Sequence, residues 1–197
     1  MSEPVEGFST DTEEPAPGRL LVATPALVDP NFAHTVVLIL DHDEDGTIGV
    51  VLNRPSPVPV GSVLPDWSVS VDPPEVLFEG GPVSTDAALA VACVPGTDEP
   101  DPIGFRRLFG VTGIIDLDTP PEVLAPAVTR LRVFAGYSGW GSGQLAAEIT
   151  EGSWYVVDST THDIFDAAPD QLWSSVLRRQ PGELAWVSTK PVDPTMN

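Results

Sequence analysis

HTVVLIL (34–40), DHDEDG (41–46) and TIGVVLN (47–53) form the continuous stretch that decides the fold. Both flanks are apolar and rich in β-branched residues, the side chains that pack well on a pleated, half-buried surface. The centre is acidic and ends in Gly46, the chemistry of a tight turn. The stretch therefore predicts a β-hairpin. The spacing Asp41-x-Asp43-x-Asp45-Gly46 also matches the first half of a calcium loop, where spaced carboxylates wrap a hard cation. The second half does not match, because the twelfth position is Leu52 instead of a bidentate glutamate, and strands flank the loop where helices are needed. An acidic hairpin turn is the better reading.

Upstream, Arg19 to Ala23 reads as a short strand, ended by Pro25, which cannot donate to a ladder. Residues 1–18 carry five acids, no base and three prolines, so they bury too little apolar surface to offset chain entropy and are expected to form a disordered acidic tail. Downstream, the prolines from Pro55 to Pro65 predict an extended, irregular segment, with a helical turn at Val63 and Leu64. Further strands are expected at Val76 to Phe78, Ala87 to Val94, Val111 to Leu117, Leu131 to Ala135 and Trp154 to Asp158, with Gly96 to Pro102 a polar loop. A short helix should start after an N-cap at Thr119 and be limited by Pro126. Residues 136–143, GYSGWGSG, read as a glycine-rich turn leading into a helix from Gln144 to Ile149. Pro169 to Arg179 is the clearest helix, with Leu172, Trp173, Val176 and Leu177 at core spacing. Leu184 to Val187 is expected to close the sheet, and 188–197 to form a C-terminal tail. Strands outnumber helices and lack regular crossovers, which argues for an α+β fold with a mixed sheet over a doubly wound one. One domain, 19–187, is the expectation for 197 residues.

Composition narrows the function classes. The 29 acids and 9 bases give a formal charge of −20, a field that repels nucleic-acid phosphates; a solvated acidic surface is its commonest explanation, and a positively charged partner protein or a bound metal also fits it. The lone cysteine, Cys93, lies in the apolar run LAVAC and excludes an internal disulfide. No apolar run approaches a bilayer span and the N-terminus carries no signal pattern, so a cytoplasmic protein with no membrane association is expected.

The candidate chemistry is thin. Residues 136–143 sit where a phosphate-binding loop sits, yet they lack the Lys-Ser/Thr ending, and Gln144 stands where a dinucleotide fingerprint needs Gly or Ala. Ser138 lies in a near match to a hydrolase elbow, but Trp140 replaces the second glycine, and no spacing pairs His34, His42 or His162 with it. Gln144 and Glu148 are four apart, so on a helix they share one face. Arg54, after Asn53, can recognise a carboxylate or phosphate, or pair with one of the many acids.

In sequence order, RLLVATPALVDPNFAHTVVLILDHDEDGTIGVVLNRP (19–55), GGPV (80–83) and GYSGWGSGQLAAEI (136–149) resemble the AlgH/YqgE family, over roughly residues 18–187. The resemblance implies an α+β fold with a bent, barrel-like mixed sheet and a few flanking helices, in a bacterial cytoplasmic protein. That family is named for a proposed regulatory role in alginate synthesis, so it implies a regulatory protein, including a transcriptional one, and it implies no established activity, cofactor or DNA-binding element. Carried over by motif, Asn53, Arg54, Gly81, Trp140, Gln144 and Glu148 are the candidate ligand-binding residues. After GGPV the family commonly has a Leu-His pair where this chain has Leu89 and Ala90. No catalytic residue, metal or cofactor is assigned. Two functions are carried forward: a non-catalytic binding or regulatory protein acting through an unidentified protein partner, and an enzyme or small-ligand binder with a pocket around Asn53, Trp140, Gln144 and Glu148.

Overall fold

Apolar runs that alternate between two buried faces make most of this chain a sheet. The structure, a computed structural model, describes residues 14–96 and 100–189. In chain order the elements are β1 (Arg19–Ala23), β2 (Val36–His42), β3 (Gly46–Val51), β4 (Pro55–Pro59), α1 (Val60–Val63), a 3₁₀ segment (Pro65–Ser70), β5 (Val76–Glu79), β6 (Val83–Cys93), β7 (Phe105–Phe109), β8 (Thr112–Ile115), α2 (Pro121–Leu124), β9 (Arg130–Gly141), α3 (Gln144–Thr150), β10 (Trp154–Asp158), α4 (Thr161–Ile164), α5 (Leu172–Arg178) and α6 (Leu184–Val187). The strands form one curled sheet in the order β10-β1-β2-β3-β9-β6-β8-β7, with β5 added on β9 and β4 on β5. The β5–β9 pair is parallel and the other pairs are antiparallel, so the sheet is mixed and curls into a half-barrel with a few helices.

The hairpin forms as expected from β2 and β3, with a register shift between Ile39 and Asp41. In β1 and β2 successive side chains reach opposite cores, as the period of a strand dictates. Leu20, Val22, Val36 and Leu38 pack toward α5, where Leu172, Trp173, Val176 and Leu177 complete the face. Leu21, Ala23, Val37 and Ile39 pack on the other side with Trp140, Leu145 and Trp154. A third cluster, including Trp67, Phe105, Leu124 and Leu131, fills the far half of the sheet. Each fully buried Leu or Val in these layers contributes on the order of 2 kcal/mol.

Several expectations need correction. Residues 136–141 are not a turn but the second half of β9, a strand of 12 residues. One edge of β9 pairs with β6 from Arg130 to Tyr137, and the other pairs with β5 and then with β3. Leu184 to Val187 is a helix, not a closing strand. His162 lies in α4, a short helix the sequence patterns did not signal, held by a capping box between Thr160 and Asp163. Pro55–Pro59 is a strand after all, with prolines tolerated because β4 lies at an outer edge. Pro120, not Thr119, caps α2, and no side-chain cap bond forms there. The strand β7 was not anticipated, since Arg106 and Arg107 interrupt its apolar pattern. Arg107 is held there by Asp101 and by the carbonyls of Val94 and Gly110.

Of the expected acidic tail, residues 1–13 lie outside the described residues, as do 190–197 of the C-terminal tail and 97–99 of the polar loop. Gly18 already donates its N–H to the Ile39 carbonyl at 2.8 Å, so ladder contacts begin one residue before β1.

Candidate functional site

The family-like block ending β9 and opening α3 builds a knot of hydrogen bonds around one carboxylate. Gly143, with φ 70°, is the N-cap of α3 and accepts from the Ala147 N–H. One turn places Gln144 and Glu148 on the same face, and the Gln144 amide donates to Glu148 Oε1 at 3.0 Å. Gln144 Oε1 in turn accepts from the Gly141 N–H at 3.0 Å, tying the helix to the end of β9. Glu148 Oε2 accepts from the indole N–H groups of Trp140 and Trp154, both at 2.9 Å. The two indoles meet edge to face at 5.9 Å, and Phe32 packs against both. A carboxylate is an acceptor with about four lone-pair sites, and three donors already converge on this one. As built, Glu148 is an anchor for α3 and the indoles.

Asn53 and Arg54 lie elsewhere and bracket the loop before β2. Asn53 accepts from the Val36 N–H at 2.9 Å and donates to the His34 carbonyl at 2.8 Å, continuing the hairpin ladder with a side chain. Arg54 Nη2 donates to the Pro30 carbonyl at 2.9 Å and the Ala33 carbonyl at 3.4 Å. His34, at φ 57°, lays its ring 5.0 Å from that of Trp173. Ser138 is fully buried and donates its hydroxyl to the Gly80 carbonyl at 3.1 Å. His42 bonds the Thr47 hydroxyl through Nδ1, and His162 stands 3.9 Å from Asp166. The Ser138 hydroxyl is thus buried and committed to a carbonyl, and among the described residues no hydrogen bond joins it to an imidazole. Gly81 is a corner with φ 151°, and a Cβ there would lie 2.3 Å from the Tyr137 carbonyl oxygen.

The six candidate residues therefore do not form one pocket. Arg54 and Gly81 line a cleft of about 460 Å³ among β3, β4, β5 and β6. Trp140 lines a second, more open trough of about 490 Å³ beside the hairpin turn. Gln144 and Glu148 bond the Trp140 side without lining either space, and Asn53 is in the loop bracket. The trough contains what sequence reasoning left scattered: Asp41, Asp43 and Asp45 on the rim, with Ile48, Tyr137 and Gly139 beneath. Asp43 Oδ1 accepts from the Asp45 and Gly46 N–H groups, so it shapes the turn. Among the described residues, no group of three or more His, Cys, Asp or Glu stands close enough to hold a metal ion. The trough's signal was present in the alternation of β3, where Ile48 is 40% exposed between buried neighbours.

The groups with shifted pKa values lie away from both spaces. Burial pushes the Cys93 thiol up, partly offset by its hydrogen bond with Thr112, and burial also raises Tyr155. Burial lowers Arg132 to about 10, opposed by Asp72 and Asp166. Arg132 is fully buried, stacks 4.3 Å over the Phe78 ring and donates to the carbonyls of Pro73, Ile164 and Asp166. It clamps the loop before β5 and the end of α4 onto β9.

A curled mixed sheet with a few helices places this chain in a class of half-barrel proteins. The chain belongs to the AlgH-like family, DUF179, whose model matches residues 20–185. It is 60% identical over 182 residues to a UPF0301 protein of Streptomyces coelicolor, covering 91% of this chain and 94% of that one. A UPF0301 protein of Mycobacterium leprae is 43% identical over 181 residues, covering 91% and 90%. Among solved structures, a Corynebacterium diphtheriae protein superposes with a TM-score of 0.84 at 36% identity, covering 90% of this chain and 94% of that one. The AlgH protein of Pseudomonas aeruginosa, solved in solution, gives 0.66 at 26% identity, covering 91% and 98%. Among the described residues, no helix is long and apolar enough to cross a membrane.

Proposed function

We propose that this protein is a non-catalytic, cytoplasmic binding protein that regulates by docking a basic, extended segment of a protein partner in the trough over Gly139. The observation that carries the proposal is the missing side chain at its floor. Gly139 is exposed, its φ lies outside the region reserved for glycine, and an added Cβ would meet Tyr137 at 3.7 Å and Val83 at 4.0 Å, both ordinary contacts. Neither backbone strain nor crowding requires glycine here. Its effect is to leave a slot between Ile48, its cross-strand partner, and Tyr137. The aliphatic stem of an arginine or lysine fits such a slot while its head meets the aspartates above. The formal charge of −20 favours that occupant and disfavours nucleic acid.

The reading that places a pocket around Asn53, Trp140, Gln144 and Glu148 has against it the internal bonds those side chains already make. The test is amide and indole chemical-shift mapping with an alternating Arg-Leu heptapeptide, on the wild type and on Gly139→Val. Saturable shifts at Ile48, Tyr137 and the Trp140 indole, lost in the variant, support docking. Shifts spread over the acidic surface and equal in both proteins overturn it.

A further inference from the structure

The cleft lined by Arg54 and Gly81 lies apart from the trough and raises a separate question. Its walls come from five separate strands and three loops, and its volume, about 460 Å³, is within the range of small-molecule sites. Val51 and Leu77, 1% and 9% exposed, form with Ala135 an apolar floor. Two opposite charges open onto it. Arg54 is fixed through Nη2 by the carbonyls of Pro30 and Ala33, which leaves three of its five N–H donors. Glu79 emerges beside it, because the Glu79 N–H donates to the Arg54 carbonyl at 2.8 Å. Yet among the described residues no ion pair joins these two side chains, or either of them to any other. A guanidinium fixed through one nitrogen, with its other N–H groups beside an apolar floor, is suited to receive a carboxylate. Thr85 and Asn31 add a hydroxyl and an amide at the rim.

We infer that this cleft binds a small zwitterion with an apolar side chain, of the free amino-acid class. The carboxylate of such a ligand meets Arg54, its ammonium meets Glu79, and its side chain lies on Leu77 and Val51. A phosphate monoester fits less well, because a dianion would face one cation with Glu79 beside it. A metal ion would find one carboxylate and one cation. The inference is independent of partner docking, since it uses none of the trough residues.

The experiment is an amide chemical-shift titration of the full chain with each of the twenty free amino acids, followed by leucine amide and N-acetyl-leucine. The expected result is saturable shifts at Leu77, Glu79 and Thr85 with leucine or a similar apolar amino acid. Removing either ligand charge should weaken binding about tenfold or more, the equivalent of one lost charge-assisted bond. Glu79→Gln should erase the difference between leucine and N-acetyl-leucine, and Arg54→Gln that between leucine and its amide. Because Arg54→Gln also loosens the loop at Pro30 and Ala33, Thr85→Trp, at an exposed rim position, is the second variant and should block binding with the fold intact. No saturable shift with any of the twenty, or equal affinity for leucine, its amide and its acetyl form, overturns the inference.

Discussion

Replacing Glu148 tests the central knot. Its Oε2 is the acceptor for both the Trp140 and the Trp154 indole N–H, and those indoles are 4% and 3% exposed. In Glu148→Ala both donors lose their acceptor in a nearly dry place. An orphaned buried donor costs about 1–3 kcal/mol, and two cost about 3 kcal/mol once some water enters beside the half-buried helix face. For a domain of this size that is a fall of about 6–12 °C in Tm. Glu148→Gln should cost less, about 1–2 kcal/mol. Its carbonyl can still serve both indoles, but as a neutral acceptor roughly half as strong, and its amide meets the Gln144 amide donor to donor. Equilibrium urea unfolding followed by tryptophan fluorescence and far-UV circular dichroism measures both. A double-mutant cycle sharpens the result, because Trp154→Phe should cost less in the Glu148→Ala background than in the wild type. If Glu148→Ala lies within about 0.5 kcal/mol of the wild type, the indoles have another acceptor and the reasoning fails.

The two glycines of β9 and its neighbour should respond in opposite ways. Gly81→Ala forces a Cβ to 2.3–2.4 Å of Tyr137 and Ser138 at φ 151°, and should cost more than about 3 kcal/mol or prevent folding. Gly139→Ala should change stability by less than about 0.5 kcal/mol, and urea midpoints decide both. Asn53→Asp replaces the donor facing the His34 carbonyl with an acceptor and should cost about 2 kcal/mol by the same assay, with amide exchange at Val36 accelerated. Stability should fall as pH rises above about 9, the ordinary thiol value. The native fold raises both Cys93 and Tyr155, so it holds those protons more tightly than the unfolded chain does, and that contribution is full below the ordinary values and lost above them. Arg132 acts in the opposite sense, since burial lowers it to about 10 and the cost of its charge is relieved only above that. Thermal melts from pH 7 to 10 on the wild type and Cys93→Ala check this, and an unchanged slope in the variant refutes the role given to the thiol.

What could be read from the chain was what local chemistry determines. The β2–β3 hairpin, α3 and α5 each carry their own pattern: apolar β-branched flanks around an acidic glycine turn, helix-forming composition after Gly143, or core-face spacing closed by Arg178 in the last turn. The pairing of Gln144 with Glu148 followed from the helical repeat. What could not be read depends on partners distant in sequence. Leu184 to Val187 is apolar enough for a strand, but packing against the core beside α5 makes it helical. The Trp154 indole that completes the carboxylate knot, and the aspartates that line one trough with Gly139, are brought there by register, which no single segment encodes.

The largest misreading, GYSGWG as a turn, shows how glycine serves in this sheet. Glycine-rich sequence next to a helix start normally signals a loop, because glycine weakens a strand and opens backbone conformations closed to other residues. Here the strand continues through the glycines, and the corner before β6 comes close to it. Gly80 and Gly81 of the preceding corner touch the backbone of β9 at Gly136 and Tyr137, where a Cβ on either would lie 2.3 Å from a carbonyl oxygen. Gly136, at φ 71°, turns β9 at the point where its edge passes from β5 to β3. Those glycines are explained by approach and bend, and they curl the sheet. Gly139 and Gly141 are explained by neither, since both lie outside the positive-φ region and an added Cβ would meet nothing closer than 3.7 and 4.0 Å, and of the two it is Gly139 that lines the trough with the aspartates. Once the structural reasons for glycine are subtracted, two residues of the block are left over, and one of them lies at the proposed docking slot. For that reason Gly139→Val, which the fold should tolerate, is the variant that separates a binding surface from an architectural motif.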